Sequence, residues 1–495
     1  MEKFNTFIFE RFDFNKTDLV AKFYYSFDNG KEIFEEVIDF KSAFFNIPKN
    51  SLFLEGEGLI ILNNFLFNLH IALGISYYKL FPTEILEVKS GFLDEEQILF
   101  WEKFYRNGLG EFFIKNYIDF SELINFKNIG KVPNIEELNL INNYINADGQ
   151  QGGFSPLQEK KLLLWGGGKD SIASYSLLNS PSIGKREGAR GGVDFDLFVF
   201  GKIDDIKKNT AEIAEKEILL VKRQLSNNLF KLNQQGYYNG HVPITGIIAF
   251  ITFVVSYLYG YSNIILSNEK SASEENTTWK GLKINHQYSK SIEFESDLNK
   301  YLEKYLSKKI NYFSLLRGMY EYKIAKIFSE EKKFFNTFSS CNRNFKINKE
   351  GQTQGTTPTE NSRGESCIHP ENNLWCCECE KCCFVFLMLS VNLDEKELVK
   401  IFGENLFNKI SLEKTFKELI GLENHKPFEC VGTYEESLLS AKKTIKKGFS
   451  GKILENLKQD IFNKCDEKTE ENLEKKLLKT SGEDNIPDTF SKILN

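Results

Sequence analysis

Residues 162–178 read LLLWGGGKDSIASYSLL: a leucine run breaks at three glycines, and Lys169, Asp170 and Ser171 open an amphipathic stretch. A short apolar run of this kind is a buried strand, and glycines ahead of a helical pattern let the backbone turn sharply. The first N–H groups of the helix then lack intrahelical partners and, with the helix dipole behind them, face any anion held at the turn. The same alternation continues along the chain. KLLLW, DFDLFVFG (194–201), EILLVKRQL (217–225) and NIILSN are short apolar runs separated by helical stretches, which predicts a parallel sheet covered on both faces.

What the loop lacks narrows its chemistry. The nucleoside-triphosphatase loop requires G-x-x-x-x-G-K-[ST]; here Asp170 follows Lys169, and no glycine stands five residues before Gly168. A glycine turn with no ligand would need no Asp-Ser pair at the helix start. A longer apolar stretch, ITGIIAFITFVVSYLYGY (244–261), carries no charge over about one bilayer thickness of helix. Thr245, Thr252 and Ser256 and the lack of a basic flank argue for a central helix of the α/β core, followed by the NIIL strand. No membrane insertion is expected.

The chain of 495 residues has room for two or three domains, and 41% hydrophobic residues fill their cores. Residues 1–146 mix alternating strand patterns (FNTFIFERFDF) with a helical run at 58–81 and read as an α+β N-terminal domain. NADGQQGGFSP (146–156) is a linker, 157–436 an α/β domain that carries the cysteine-rich run, and 437–495 a charged helical tail with a solvated face. Two polar stretches, 179–193 and 348–373, read as surface insertions. A formal charge of -6 gives no global attraction to nucleic acid, so no nucleic-acid partner is expected. MEKFNTFIFERF has no apolar secretory core, which points to the cytoplasm.

Nine cysteines, five of them in WCCECEKCC, indicate metal or reactive thiols rather than a disulfide frame. Cys376, Cys379 and Cys382 stand at C-x-x-C-x-x-C spacing, and Cys341 can add a fourth sulfur across the polar insertion. Four thiolates form a common structural zinc site, with free thiols or an iron–sulfur cluster as alternatives. Cys377 and Cys383 are spare.

GGGKDS resembles the pyrophosphate (PP) loop of the ATP pyrophosphatase superfamily, whose usual form is Ser-Gly-Gly-x-Asp-Ser; Gly166 replaces the first serine. The resemblance implies an adenine nucleotide alpha hydrolase-like fold, with Gly166, Gly167, Gly168, Lys169, Asp170 and Ser171 around the phosphates of Mg·ATP. Members of that superfamily that make deazaguanine nucleosides have a similar cysteine spacing, which supports zinc. Further blocks narrow the likeness. GHVPITGI (240–247), SNEKSAS (267–273), NHQYSKSIEFE (285–295) and KPFECVGTYEES (426–437), with SYYKLFPTEI and FYRNGLGEF, resemble the UDP-N-acetylmuramoyl-L-alanyl-L-glutamate epimerases. The patches run from about residue 50 to 440.

That resemblance implies ATP-dependent inversion of the terminal glutamate of the nucleotide-sugar dipeptide in peptidoglycan synthesis, in sequence with a ligase that adds L-glutamate. A carboxylate beside the α-carbon makes its hydrogen a weak acid, and adenylation removes that obstacle. Hydrolysis then releases AMP and the epimer. NHQYSKS supplies His286 for the proton, Lys290 for the charge, and Ser289 or Ser291 as phosphate donors. Asn268, Glu269 and Lys270 follow a strand and emerge at its carboxyl end, where open α/β folds bind ligands: Asn268 and Glu269 for the nucleotide, Lys270 with His286, Lys290 and Asp170 for catalysis. His241 is either a ligand contact or a helix-start residue. Cys430 is a possible thiol base but reads better as a buried structural cysteine. A tRNA-modifying pyrophosphatase and a zinc-stabilised binding protein are the competing readings.

Overall fold

The computed structural model describes residues 3–42, 45, 54–146, 157–180, 193–345, 374–423, 427 and 429–494. The linker at 147–156 and nearly all of the two polar stretches lie outside the described residues. The strands are β1 (Thr6–Asn15), β2 (Val20–Phe27), β3 (Glu32–Asp39), β4 (Ile85–Val88), β5 (Asn125–Asn128), β6 (Gln158–Leu164), β7 (Asp196–Phe200), β8 (Ile218–Gln224), β9 (Tyr261–Leu266), β10 (Thr277–Trp279), β11 (Leu282–Ile284) and β12 (Asn311–Ser314). Ten form one sheet in the order β12-β9-β6-β7-β8-β3-β2-β1-β4-β5, and β10 and β11 form a separate hairpin.

Five of these strands, β12-β9-β6-β7-β8, are mutually parallel, as the alternating pattern predicts. Their order reverses between β6 and β9. A crevice opens at the carboxyl ends of strands flanking such a switch point, and both the glycine loop and Asn268 lie just past those ends. The N-terminal strands β1, β2 and β3 are antiparallel neighbours, and β3 pairs with β8, Val37 opposite Gln224 and Asp39 opposite Lys222. The change of pattern expected near residue 146 is thus a change of strand direction within one sheet.

Successive side chains of a strand point to opposite faces, so strands buried on both sides feed two cores. Leu162, Phe198, Ile264 and Tyr312 enter one core, and their neighbours Leu163, Leu197, Ile265 and Phe313 enter the other. The first core lies under the helices Gly56–Tyr78 and Ile244–Tyr259, which pack against each other. The uncharged segment near 244 is therefore an inner helix followed by β9. Gly56–Tyr78 is long and apolar enough to cross a membrane by length and composition, yet its last thirteen residues, from Leu66 onward, are all buried in the protein.

The second core is covered by the helices Lys169–Leu178, Glu321–Ser329, Glu380–Ser390 and Tyr434–Lys446. The charged region after 437 is helical with a solvated face, as its Lys and Glu spacing suggests, and its other face is packed against the domain. Lys442 is fully buried against Glu470 at 2.9 Å, and Ser481 N donates to Gly318 O at 3.0 Å. Asn485 donates to Glu295 Oε1 at 3.0 Å, so the segment returns to the parallel end of the sheet.

Candidate active site

The strand β6 ends at Leu164, and Gly168 caps the helix Lys169–Leu178. Gly167 has φ +69°, and a Cβ there would meet Ile206 Cγ2 and Thr210 Oγ1, each at 2.9 Å. A Cβ on Gly168 would meet Ser340 Oγ at 3.0 Å and Ser339 O at 3.1 Å. Glycine at these two positions is thus set by backbone conformation and by close approach of another chain segment. Ser340 Oγ accepts from Lys169 N at 3.2 Å, and Ser171 Oγ donates to Gly168 O at 3.0 Å.

A cavity of about 390 Å³ opens over this turn. Its lining includes Gly166, Gly168, Asp170, Ser171, Asn268 and Lys290 among the expected residues. It also includes Lys207, Lys381 and Cys430. Lys169 does not reach it: the side chain is fully buried and its ammonium pairs with Asp170 and Glu321. Burial alone would lower the Lys169 ammonium, but those two carboxylates hold it above its ordinary range. The lysines that line the cavity are instead Lys207, Lys290 and Lys381, and Lys381 Nζ reaches Glu321 Oε1 at 3.3 Å and the carbonyl of Cys430. Burial works against the charge on Lys381 too, and Glu321 and Asp170 restore it.

Next to Lys381 lies a second group. Cys430 Sγ is 3.4 Å from Lys290 Nζ and 4.0 Å from His286 Nε2, and His286 Nδ1 hydrogen-bonds Glu111 Oε2. His241 Nδ1 approaches the same carboxylate oxygen at 3.4 Å. Burial would raise the Cys430 thiol, but Lys290, then His286 and Lys381, bring it below its ordinary value. Burial would lower the His286 imidazole, but Cys430 and Glu111 raise it to about 9. The Glu111 carboxyl, pushed upward by burial, is held down at about 2 by His286, His241 and Lys115. His241, with burial dominant over Glu111, is lowered to about 4. Glu111 is thus held as a carboxylate, and the His286 imidazole and the Cys430 sulfur each favour the other's charged form, with the Lys290 Nζ beside the sulfur.

The other expected residues are spread around this centre. Glu269 is buried and does not line the cavity, and after Cys430 it is the next group that raises Lys290. Lys270 turns away: its Nζ donates to Ser481 O at 2.9 Å and Ser481 Oγ at 3.3 Å. Ser291 is not among the phosphate donors, because its Oγ accepts from Phe294 N at 3.2 Å and caps the helix Ile292–Tyr305. Ser289 is buried and does not line the cavity. Glu111, Glu321 and Lys381 were not singled out in the sequence as site residues. Glu111 sits inside FYRNGLGEF and Lys381 inside the cysteine run, so a motif block and an unusual lysine between C-x-x-C cysteines were the available signals.

The four cysteines expected to bind metal do converge. The sulfurs of Cys341, Cys376, Cys379 and Cys382 all lie within 4.8 Å of one another, with Cys379–Cys382 at 3.5 Å and Cys376–Cys382 at 3.7 Å. A tetrahedron with Zn–S of about 2.3 Å has edges of about 3.8 Å, so the donor set fits zinc. Cys377 is apart, donating to Phe402 O at 3.2 Å. Chain neighbours of this cluster line the cavity. Cys341 follows Ser339 and Ser340, which close over the glycine turn, and Lys381 lies between Cys379 and Cys382.

Residues 1–315 match the family model described as the MurL N-terminal domain, and residues 337–472 the MurL C-terminal domain. A Xanthomonas oryzae pv. oryzae protein named UDP-N-acetyl-alpha-D-muramoyl-L-alanyl-L-glutamate epimerase is 30% identical over 436 residues, 88% of this chain and 84% of its own. Relatives of the same name from Micromonospora and Salinispora tropica are 32% and 30% identical, over 75% and 89% of this chain and 72% and 85% of theirs. No solved structure matches the chain.

Proposed function

The chain belongs to the MurL family of epimerases, and on that premise we propose that it inverts the terminal L-glutamate of UDP-N-acetylmuramoyl-L-alanyl-L-glutamate with ATP as co-substrate. The observation that carries the ATP-dependent reading is one cavity lined by both a backbone-only glycine turn and the Cys430–Lys290 pair. The first suits a phosphate, the second a carbon acid. ATP, when bound, supplies the adenylyl group that masks the carboxylate beside the α-carbon and so acidifies its hydrogen.

The residues divide the work. Gly166, Gly167 and Gly168 leave the turn without side chains, so backbone N–H groups at the helix start meet the phosphates. Lys381 and Lys290 offer cationic charge, and Asn268 and Ser171 offer polar atoms at the same rim. Asp170, held ionised by Lys169 and Lys381 against the upward pull of burial, would carry the charge that holds Mg²⁺ to the triphosphate. The fold that results is of the PP-loop ATP pyrophosphatase kind. Zinc at the four cysteines would pin Ser339–Ser340 over the turn and aim Lys381, a structural task. Its substrate is the product of a ligase that adds L-glutamate to the UDP-muramoyl precursor.

The test is pyrophosphate and AMP release from Mg·ATP in the presence of the UDP-muramoyl dipeptide. Asp170→Asn should reduce that release by at least about 10²-fold, because the amide cannot carry the charge that a metal–phosphate pair needs. Its circular dichroism should match the parent, since Lys169 keeps Glu321 as a partner. Near-parental pyrophosphate release from a folded Asp170→Asn protein sinks the loop assignment. Inversion by the parent protein without ATP sinks the ATP-dependent reading.

A further inference from the structure

Among the titratable side chains lining the cavity, most are unsuited to take a proton. Lys290 and Lys381 are held in the charged form by their neighbours, and Lys207 pairs with Asp204. Asp170 pairs with Lys169 beside the glycine turn and is made a weaker base by that contact. His286, the residue the sequence favours for the proton, does not line the cavity. Both of its ring nitrogens are engaged, Nδ1 by Glu111 and Nε2 towards Cys430. What His286 presents to the cavity, it presents through the sulfur.

We propose that Cys430 is the catalytic base that takes the α-hydrogen of the glutamate being inverted, with Lys290 and His286 as positioning residues at its sulfur and Glu111 as the group that orients His286. The inference rests on the epimerase activity and not on ATP, since inversion by proton transfer breaks the same C–H bond with or without adenylation. The Cα–H bond breaks, an S–H bond forms on Cys430, and the electron pair passes to the neighbouring carbonyl oxygen as an enolate. A solvent-derived proton then reaches the opposite face of the carbon, the carbonyl re-forms, and the Cys430 proton returns to solvent. Lys290, Lys381 and His286 are the charged groups facing the sulfur, and each favours its ionised form. The arrangement Glu111–His286–Cys430 fixes one imidazole nitrogen on a carboxylate and aims the other at the thiol, the geometry that activates a sulfur in acid–base or nucleophilic work.

The experiment follows the α-hydrogen directly. The protein is incubated with UDP-muramoyl-L-alanyl-L-glutamate and Mg·ATP in D₂O, and deuterium at the α-carbon and pyrophosphate are measured on the same samples. Cys430→Ala should lose deuterium incorporation by about 10²–10⁴-fold, as removal of a positioned acid–base group typically does, while pyrophosphate release falls far less. Cys430→Ser should lie between. Parallel loss of both readouts in a folded variant would show that Cys430 serves nucleotide binding and would overturn the proposal. Deuterium incorporation at the parental rate in Cys430→Ala overturns it as well. So does an acyl adduct mapped to Cys430 by peptide mass after quenching the parent reaction, because Cys430 would then be a nucleophile. Alkylation with iodoacetamide, mapped by peptide mass, covers the case of a variant that fails to fold. Modification of Cys430 in the parent should abolish exchange with a pH midpoint below that of an ordinary thiol, and exchange that survives full alkylation of Cys430 refutes the assignment.

Discussion

The protein holds two kinds of sulfur side by side. Cys341, Cys376, Cys379 and Cys382 face one another in a buried cluster, whereas Cys430 faces an ammonium and an imidazole at the wall of a cavity. Sulfur that meets sulfur is suited to a metal and to structure; sulfur that meets cations and open space is suited to proton chemistry. Identity of the residue is the same in both. Neighbours make the difference.

The sharpest way to break this comparison is to attack the cluster. If the four cysteines hold zinc, Cys379→Ser should cost the fold more than about 3 kcal/mol and release the metal, since a structural metal contributes its binding energy to folding. Metal analysis should find about one equivalent in the parent and much less in the variant, while the fraction that remains folded should still exchange the α-hydrogen. Strong chelation of the parent should reproduce the loss of stability. A metal-free protein of undiminished stability would remove the distinction between the two sulfur environments.

The next test changes the charge around Cys430 and leaves the cluster alone. Exchange should rise with pH as Cys430 ionises and fall above about pH 9, where His286 loses its proton. His286 and Glu111 both stabilise the fold, with opposite dependences on pH. His286, raised from 6.5 to about 9, stabilises the fold fully below pH 6.5, and that contribution is lost as pH rises through about 9. Glu111, lowered from 4.5 to about 2, contributes fully above pH 4.5 and loses its contribution as pH falls through about 2. Lys290→Met should move the acid limb of the exchange profile upward by about one pH unit, which reads the charge at the sulfur rather than folding. An unmoved limb would mean that Lys290 acts elsewhere. The smallest effect should come from Lys270→Ala, which removes the contact to Ser481: about 1 kcal/mol of stability and less than about a threefold change in exchange.

Local patterns in the chain encoded much of this. The leucine run, the glycines and the helical stretch after them describe β6, its turn and the helix Lys169–Leu178, because strand periodicity and a φ of +69° at Gly167 are properties of adjacent residues. The spacing of Cys376, Cys379 and Cys382 likewise brings three sulfurs together by local geometry. The motif blocks also marked the family.

What the sequence could not give is which side chains meet across the fold. Glu111 lies 175 residues from His286, and Cys430 lies 144 residues beyond it; the helix Gly110–Lys115 packs on β11, which brings Glu111 to His286, and Cys430 meets the other nitrogen of that imidazole from a segment much later in the chain. Lys169, a natural phosphate cation by position, is buried against Glu321, and Lys207, Lys290 and Lys381 line the cavity instead. Lys270 is drawn off by a segment more than 200 residues later in the chain. The chain itself determined the turn, the cysteine spacing and the alternating strands, since those depend on neighbours in sequence. Tertiary structure alone decided which thiol lies among cations and which lysines line the cavity, because burial and charge at a side chain are set by residues that the sheet order, and not the sequence, brings alongside.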